Sequence, residues 1–170
     1  MNNHNIETIL KELAILNGER LNMISRAAAT GTIYFGESRR YALHLQIPFR
    51  FVHNYEIILA NFDIFEPTAE MEESPDFDWE AHNNMGWDSP GNNRYDEIAK
   101  TMLDKEDFIV SSAEVNKLCD LKIFFTNGCV LETFSNASTD DLEFWRFFER
   151  SNKEKNHLVI IRSGIEVLED

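Results

Sequence analysis

LKIFFTNGCVLETF, residues 121–134, is two apolar runs joined by Asn127-Gly128. Asn-Gly between such runs is a strong hairpin signal, because a tight turn needs residues that accept positive φ. A two-residue turn there places Phe125 opposite Val130, Ile123 opposite Glu132 and Leu121 opposite Phe134. Side chains alternate across a strand, so Leu121, Ile123, Phe125, Val130 and Phe134 share a core face. Lys122, Phe124, Thr126, Leu131 and Thr133 take the other face. In this register Glu132 falls among the apolar side chains. A buried carboxylate must be paired or have its pKa raised. Two alternatives follow: Glu132 forms a structural buried pair with Arg146, or a bulge turns it out to water.

The remaining chain supplies the other elements. Residues 5–16 carry Ile6, Ile9, Leu10, Leu13 and Leu16 on one helical stripe, stopped by Asn17-Gly18. ERLNMISRAAAT reads as a short strand running into a helical turn, and TIYFGE as a strand. YALHLQIPFRFV, residues 41–52, alternates throughout, with Pro48 marking an edge or a bulge because it lacks a backbone donor. EIILANFDIF, residues 56–65, reads as its hairpin partner across His53-Asn54, which would set His44 against Asp63 and Gln46 against Asn61. Pro67 ends that strand. Residues 66–94 are too long for a simple connector but contain Phe77, Trp79, Met85 and Trp87, so an ordered excursion pinned by aromatics is expected. A helix near 95–104, a strand near 107–116, a doubly packed strand at 142–149 and a last hairpin turning at Ser163-Gly164 complete the chain. The fold class expected is α+β: a largely antiparallel sheet built from hairpins, with an N-terminal helix and one middle helix, in a single domain over residues 1–170.

The 170 residues include 13 Phe, 3 Trp and 4 Tyr, enough apolar surface to make a core without disulfides. Cys119 and Cys129 would sit roughly 23 Å apart in the hairpin at the usual strand rise, so no internal bridge is expected. MNNHNIETIL has neither a basic region nor a long apolar run, and no stretch approaches the ~20 residues of a membrane helix. A cytoplasmic location without membrane partners is therefore expected. The net charge of −14 is uneven. Between Arg50 and Arg94 there are ten acids and no Lys or Arg, so this segment carries −10 while the remainder, 20 acids against 16 bases, carries −4. Such a field repels phosphate backbones, which disfavours nucleic acid, and steers a basic partner towards the acidic segment.

The common catalytic signatures are absent: there is no GxSxG, HExxH, Walker loop or GxGxxG. Asp76-x-Asp78-x-Glu80 starts like an EF-hand loop, but Ala81 and Trp87 occupy the places that need Gly and a bidentate acid. No metal and no cofactor is expected. His44 facing Asp63 could act as an oriented imidazole. No Ser, Cys or Thr is placed beside them as a nucleophile, which favours a structural cross-strand pair. Asn136-Ala137-Ser138 matches a glycosylation sequon, read as chance without a secretory route. Of the three tryptophans, Trp87 is the expected binding residue because it lies in the loop.

Arg26-Ala27, Phe35-Gly36-Glu37, Ala42-Leu43-His44-x-Gln46, Phe49-Arg50, Leu131-Glu132-x-Phe134 and Trp145-Arg146 together resemble a pattern shared by a family of small bacterial proteins of unknown function. The similarity spans most of residues 18–160 and departs at Phe49, where Trp is expected, and in the acidic 66–94 segment. Such proteins are found near secreted bacterial toxins, so the resemblance implies an immunity role.

The leading functional expectation is a non-enzymatic binding protein that masks a basic protein surface. Its partner-binding residues would be Glu70, Glu72, Glu73, Asp76, Asp78, Trp79, Glu80 and Trp87. The alternative is a small-ligand binder or enzyme using His44, Gln46, Arg50, Asn61 and Asp63. A third reading is an oligomer paired through an exposed edge strand at 41–52.

Overall fold

The computed structural model describes residues 1, 3–152 and 157–166. Of the last hairpin expected from the sequence, over 156–169, residues 156 and 167–169 lie outside them. The fold is α+β, with two antiparallel sheets. Helix α1 (Asn3–Leu13) is followed by the hairpin β1 (Leu21–Ala27) and β2 (Thr30–Phe35). Next come β3 (Tyr41–Leu45), β4 (Phe49–His53) and β5 (Glu56–Ala60), then the short helices α2 (Ala69–Glu73) and α3 (Trp79–Asn83). Helix α4 (Arg94–Lys105) leads into β6 (Val110–Val115), β7 (Leu121–Phe125), β8 (Val130–Thr133) and β9 (Glu143–Glu149). The hairpin β10 (Leu158–Ile161) and β11 (Gly164–Ile165) comes last. One sheet runs β1-β2-β3-β9-β10-β11 and the other β5-β4-β8-β7-β6.

Residues 41–52 are not one edge strand. The chain leaves the first sheet at Leu45, crosses through Gln46-Ile47-Pro48 and enters the second at Phe49. Both halves are interior strands: β3 lies between β2 and β9, and β4 between β5 and β8. Pro48 sits at the crossing, where its missing donor is harmless and its carbonyl accepts the Phe134 N–H at 2.8 Å. The alternation still holds, because Tyr41, Leu43, Leu45, Ile47, Phe49 and Phe51 are all buried. Edge-strand pairing through 41–52 is thereby excluded. A second seam joins the two sheets at β1 and β6, where Leu21 N–H donates to the Phe108 carbonyl (2.8 Å) and Val110 N–H to that of Glu19 (2.9 Å). The segment 19–30, expected to run from a short strand into a helical turn, stays extended to Ala27 and then turns tightly at Ala28-Ala29 into β2. Pairing along β2 overrides the helix propensity of Ala27, and the hairpin turn takes up the other two alanines.

The central hairpin forms, one place out of the expected register. Phe125 N–H donates to the Cys129 carbonyl at 2.9 Å, and Gly128, at φ +85°, closes a three-residue loop. That is the longer of the two common hairpin loops, a turn followed by a left-handed residue. Ile123 consequently faces Leu131, and Lys122 faces Glu132. A one-residue slip exchanges faces, so Leu131 and Thr133 go in while Val130, Glu132 and Phe134 go out.

One core draws on both sheets, α1 and α4, with Trp145 fully enclosed and its indole N–H donating to the Cys119 carbonyl at 2.9 Å. Gly31 marks the close approach of the two sheets. A Cβ there would lie 2.5 Å from the ring of Phe49, bringing the two sheets closer than any side chain permits. Gly31→Ala should therefore lower stability by about 1–3 kcal/mol, the usual range for overpacking. Urea unfolding should show this as an earlier midpoint at unchanged slope, whereas an unmoved midpoint would mean that Phe49 repacks freely.

Candidate protein-binding surface

The acidic excursion is ordered, as its aromatics imply. Its helices start at side-chain caps: Thr68 accepts the Met71 N–H (3.2 Å), Asp78 the Ala81 N–H (2.9 Å) and Asn93 the Asp96 N–H (2.9 Å). Gly86 is required because a Cβ would meet the Ala81 carbonyl oxygen at 2.7 Å. What fastens the segment to the sheets is Arg26, at the far end of β1, whose side chain is only 6% exposed. Its guanidinium donates to Asp88 Oδ1 (2.8 Å), to both Asp96 oxygens (3.2 Å each) and to the carbonyls of Trp87 and Asp88 (3.1 Å each). The Trp87 ring lies 5.9 Å from it. Buried Asn93 donates to the Trp87 carbonyl (2.8 Å) and to Asp96 (3.1 Å).

Two aromatic groups follow from this anchoring. Phe62, Phe65 and Trp87 meet edge to face at 5.7 and 4.9 Å, while Phe77 and Trp79 meet at 5.0 Å. Buried His82 connects them: its ring is 5.5 Å from Phe77, and its Nε2 lies 3.1 Å from the Phe65 carbonyl. The outward parts are Phe62, Trp79 and Met85, exposed by 69, 48 and 61%. Glu70, Glu72, Glu73, Asp76, Asp78 and Glu80 are exposed around them. Trp79 thus takes the place expected of Trp87, which is half-buried and faces Arg26. Phe62 and Met85 join the surface although neither is among the partner-binding residues expected from the sequence. The pattern over 56–65 predicts a strand through Phe62 and Phe65, whereas Asn61–Ile64 is a 3₁₀ turn.

The five residues of the alternative site do not converge. His44 lies on β3, across from Thr32 and Arg146 of the first sheet, while Arg50 belongs to the second. Asn61 accepts the Phe49 N–H (3.1 Å) and Asp63 the Ala60 N–H (2.7 Å), both shaping the turn after β5. Gln46 is exposed at the crossing. The expected His44–Asp63 pair fails because the two strands of that proposed hairpin belong to different sheets.

The Glu132–Arg146 pair fails for the register reason given above. Glu132 faces outward between Arg50 (2.9 Å) and Lys122 (2.8 Å), and Arg146 pairs with Glu143. Partial burial opposes ionisation of Glu132, but the hydrogen bonds from Lys122 and Arg50 outweigh it and hold the pKa below the usual range. Arg50, Glu132, Lys122 and Glu114 lie side by side across four strands, an alternating row of charges.

Both thiols are free and buried, with Cys129 pushed up to about 12 by burial and Cys119 raised for the same reason. Neither is poised as a nucleophile. Among the described residues no three His, Cys, Asp or Glu side chains cluster as metal ligands, and no helix is long and apolar enough to cross a membrane.

On the open face of the first sheet, Phe148 lies between two imidazoles. His157 stacks on it at 4.0 Å and His44 meets it edge-on at 5.0 Å, with Arg146 Nη1 3.5 Å from His157 Nδ1. Burial lowers the pKa of both histidines, and Arg146 lowers them further against an opposing pull from Glu143. The unfolded chain therefore takes up these protons first. The stabilising effect is complete above the unfolded imidazole value of about 6.5 and is lost as the pH falls from there towards the lower folded values. Urea titrations at about pH 7.5 and about pH 5.5 should show stability declining with acid. His44→Gln should reduce that decline, and an identical decline in the variant would remove His44 from the account.

Removing the anchor is the direct test of the excursion. Arg26→Met keeps most of the stem volume but takes the guanidinium from Asp88, from Asp96 and from two carbonyls, leaving Asp96 and the Trp87 carbonyl only their neutral donors such as Asn93. About 3 kcal/mol should be lost, the lower end for breaking a buried ion pair because Asp88 remains part-exposed. Limited proteolysis should also reach residues 85–92 faster; cleavage at the parental rate would mean that the segment holds itself in place. Comparison with protein-family models, curated proteins and solved structures finds no match, so the functional reading rests on this geometry.

Proposed function

We propose that this chain is a non-enzymatic binding protein whose acidic excursion docks a basic protein surface. The observation that carries the reading is the combination on one anchored segment: exposed Phe62, Trp79 and Met85 set among exposed carboxylates, with no Lys or Arg between Arg50 and Arg94. Aromatic and Met side chains supply the desolvated centre of an interface, and a single-sign rim steers encounter and rejects acidic partners. The family resemblance adds the kind of partner: a basic toxin, masked by this protein in an immunity role. Anchoring by Arg26 supports the same reading, since a surface held in its bound shape loses less entropy on association.

The test is capture from the native cell with the chain immobilised, at low and at raised salt, in parallel with Glu70→Lys/Glu72→Lys/Glu73→Lys and Trp79→Ala. A basic protein should be retained at low salt. Charge reversal should weaken it by roughly tenfold or more, chiefly through association rate, while Trp79→Ala should act through dissociation. Circular dichroism confirms that the variants fold. Retention indifferent to salt and to both variants would refute docking through this surface.

A further inference from the structure

Among the described residues, most arginines face a carboxylate: Arg20 on Asp107, Arg26 on Asp88 and Asp96, Arg40 on Glu149, Arg50 on Glu132, Arg146 on Glu143 and Arg162 on Asp140. With 30 acids against 16 bases, a guanidinium left over from pairing is the exception. Among the described residues, Arg39, Arg94 and Arg150 have no carboxylate within ion-pair distance, and two of these three line the same cleft. That cleft, of about 650 Å³, also has Ser38, Arg40 and Ser151 in its walls. It lies at the Leu21–Phe35 end of the β1–β2 ladder, whereas Arg26 and the acidic excursion sit near the Ala27–Thr30 end.

The cleft wall is held in an unusual shape. Ser38 and Arg39 are successive non-glycine residues at φ 56° and 58°, in the left-handed region that such residues seldom occupy. Arg39 N–H donates to the Gly36 carbonyl (3.1 Å), Arg150 Nη1 to the Arg39 carbonyl (3.2 Å) and Arg150 N–H to the Arg40 carbonyl (2.9 Å). The Arg150 guanidinium lies 5.2 Å from the Tyr34 ring, and that of Arg40 5.1 Å from Tyr41. Ring contact and backbone bonds thus fix two of the three cationic groups before any ligand arrives.

Glu19 and Glu37 also line the cleft and Glu149 holds Arg40, so the acids balance the three guanidinium groups. A singly charged ligand gains little from a neutral cleft. A multiply charged group with several acceptor oxygens gains a charge-assisted hydrogen bond at each guanidinium fork, and that geometry is met by phosphate. The cleft's size is within the range of about 300–1,000 Å³ seen for small-molecule sites. We propose that this cleft binds the phosphate group of a small phosphate-bearing ligand, with Arg39 and Arg150 as its principal donors.

The experiment follows backbone amide resonances of the full chain during titration with inorganic phosphate and, in separate arms, pyrophosphate and glycerol phosphate, at constant ionic strength set with sodium chloride. Saturable shifts are expected at Ser38, Arg39, Arg40 and Ser151. Affinity should fall roughly tenfold in Arg39→Asn, which tolerates the left-handed backbone while losing the guanidinium, and likewise in Arg150→Gln. Glu37→Gln should tighten binding by removing an opposing charge. Tighter binding of the ester identifies an organic phosphate as the ligand and tighter binding of pyrophosphate a polyphosphate group; equal binding identifies the free ion. Shifts that never saturate, or that persist in the Arg39→Asn/Arg150→Gln double variant, overturn the proposal. Should either arginine variant unfold, the sign of the Glu37→Gln effect decides, with weaker or unchanged binding counting against the site.

Discussion

The ring of Phe49 is the joint on which both sheets and α4 close. It lies over Gly31 of β2, in the other sheet, and meets Tyr95 of α4 edge to face at 6.1 Å. Tyr95 in turn donates its hydroxyl to the Ser25 carbonyl of β1 at 3.2 Å, with burial pushing that hydroxyl far above its ordinary pKa. A chain that must cross between sheets at Gln46-Ile47-Pro48 can bring Phe49 to this point only if the strand facing it offers no side chain. One glycine therefore sets how close the layers come, and the buried residues beyond it pack to that spacing.

The acidic segment depends on the same joint at one remove. Helix α4 is capped by Asn93, two residues before Tyr95, and its first turn presents Asp96 to Arg26. Mutual repulsion alone would keep a −10 stretch extended. Order is possible because two of the chain's acids, Asp88 and Asp96, are spent inward on one enclosed guanidinium, while Glu70, Glu72, Glu73 and Glu80 stand on capped helices in water. The aromatics complete the division: Trp87 and Phe65 pack towards the anchor, and Trp79, Met85 and Phe62 remain outside.

How much of this surface is legible in the chain varies residue by residue. The charge run and its aromatic content read directly, since neither depends on three-dimensional neighbours. The exchange of roles between Trp79 and Trp87 does not, because burial of Trp87 is decided by Arg26, about sixty positions away. Phe62 and Phe65 were hidden by their place in an apparently alternating strand that in fact ends at Ala60. His44 and Asp63 lie on alternating stretches joined by a turn, and nothing local reports that the first of those stretches changes sheets midway.

The amino-acid sequence by itself determined the elements: the helical stripe of α1, the hairpins, the alternation from Tyr41 to Phe51 and the uneven charge. These follow from periodicity and turn chemistry within a few residues of chain. Only the tertiary structure decided register and partnership. Asn127-Gly128 suits a two-residue and a three-residue loop alike, since each needs a residue at positive φ, and the choice rests on what stands opposite. The longer loop leaves Glu132 between Arg50 and Lys122 at the surface; the shorter one would have sealed its charge among Ile123 and its neighbours. The cost of an unsolvated carboxylate is a property of the folded surroundings, so no reading of the hairpin alone could have made that choice.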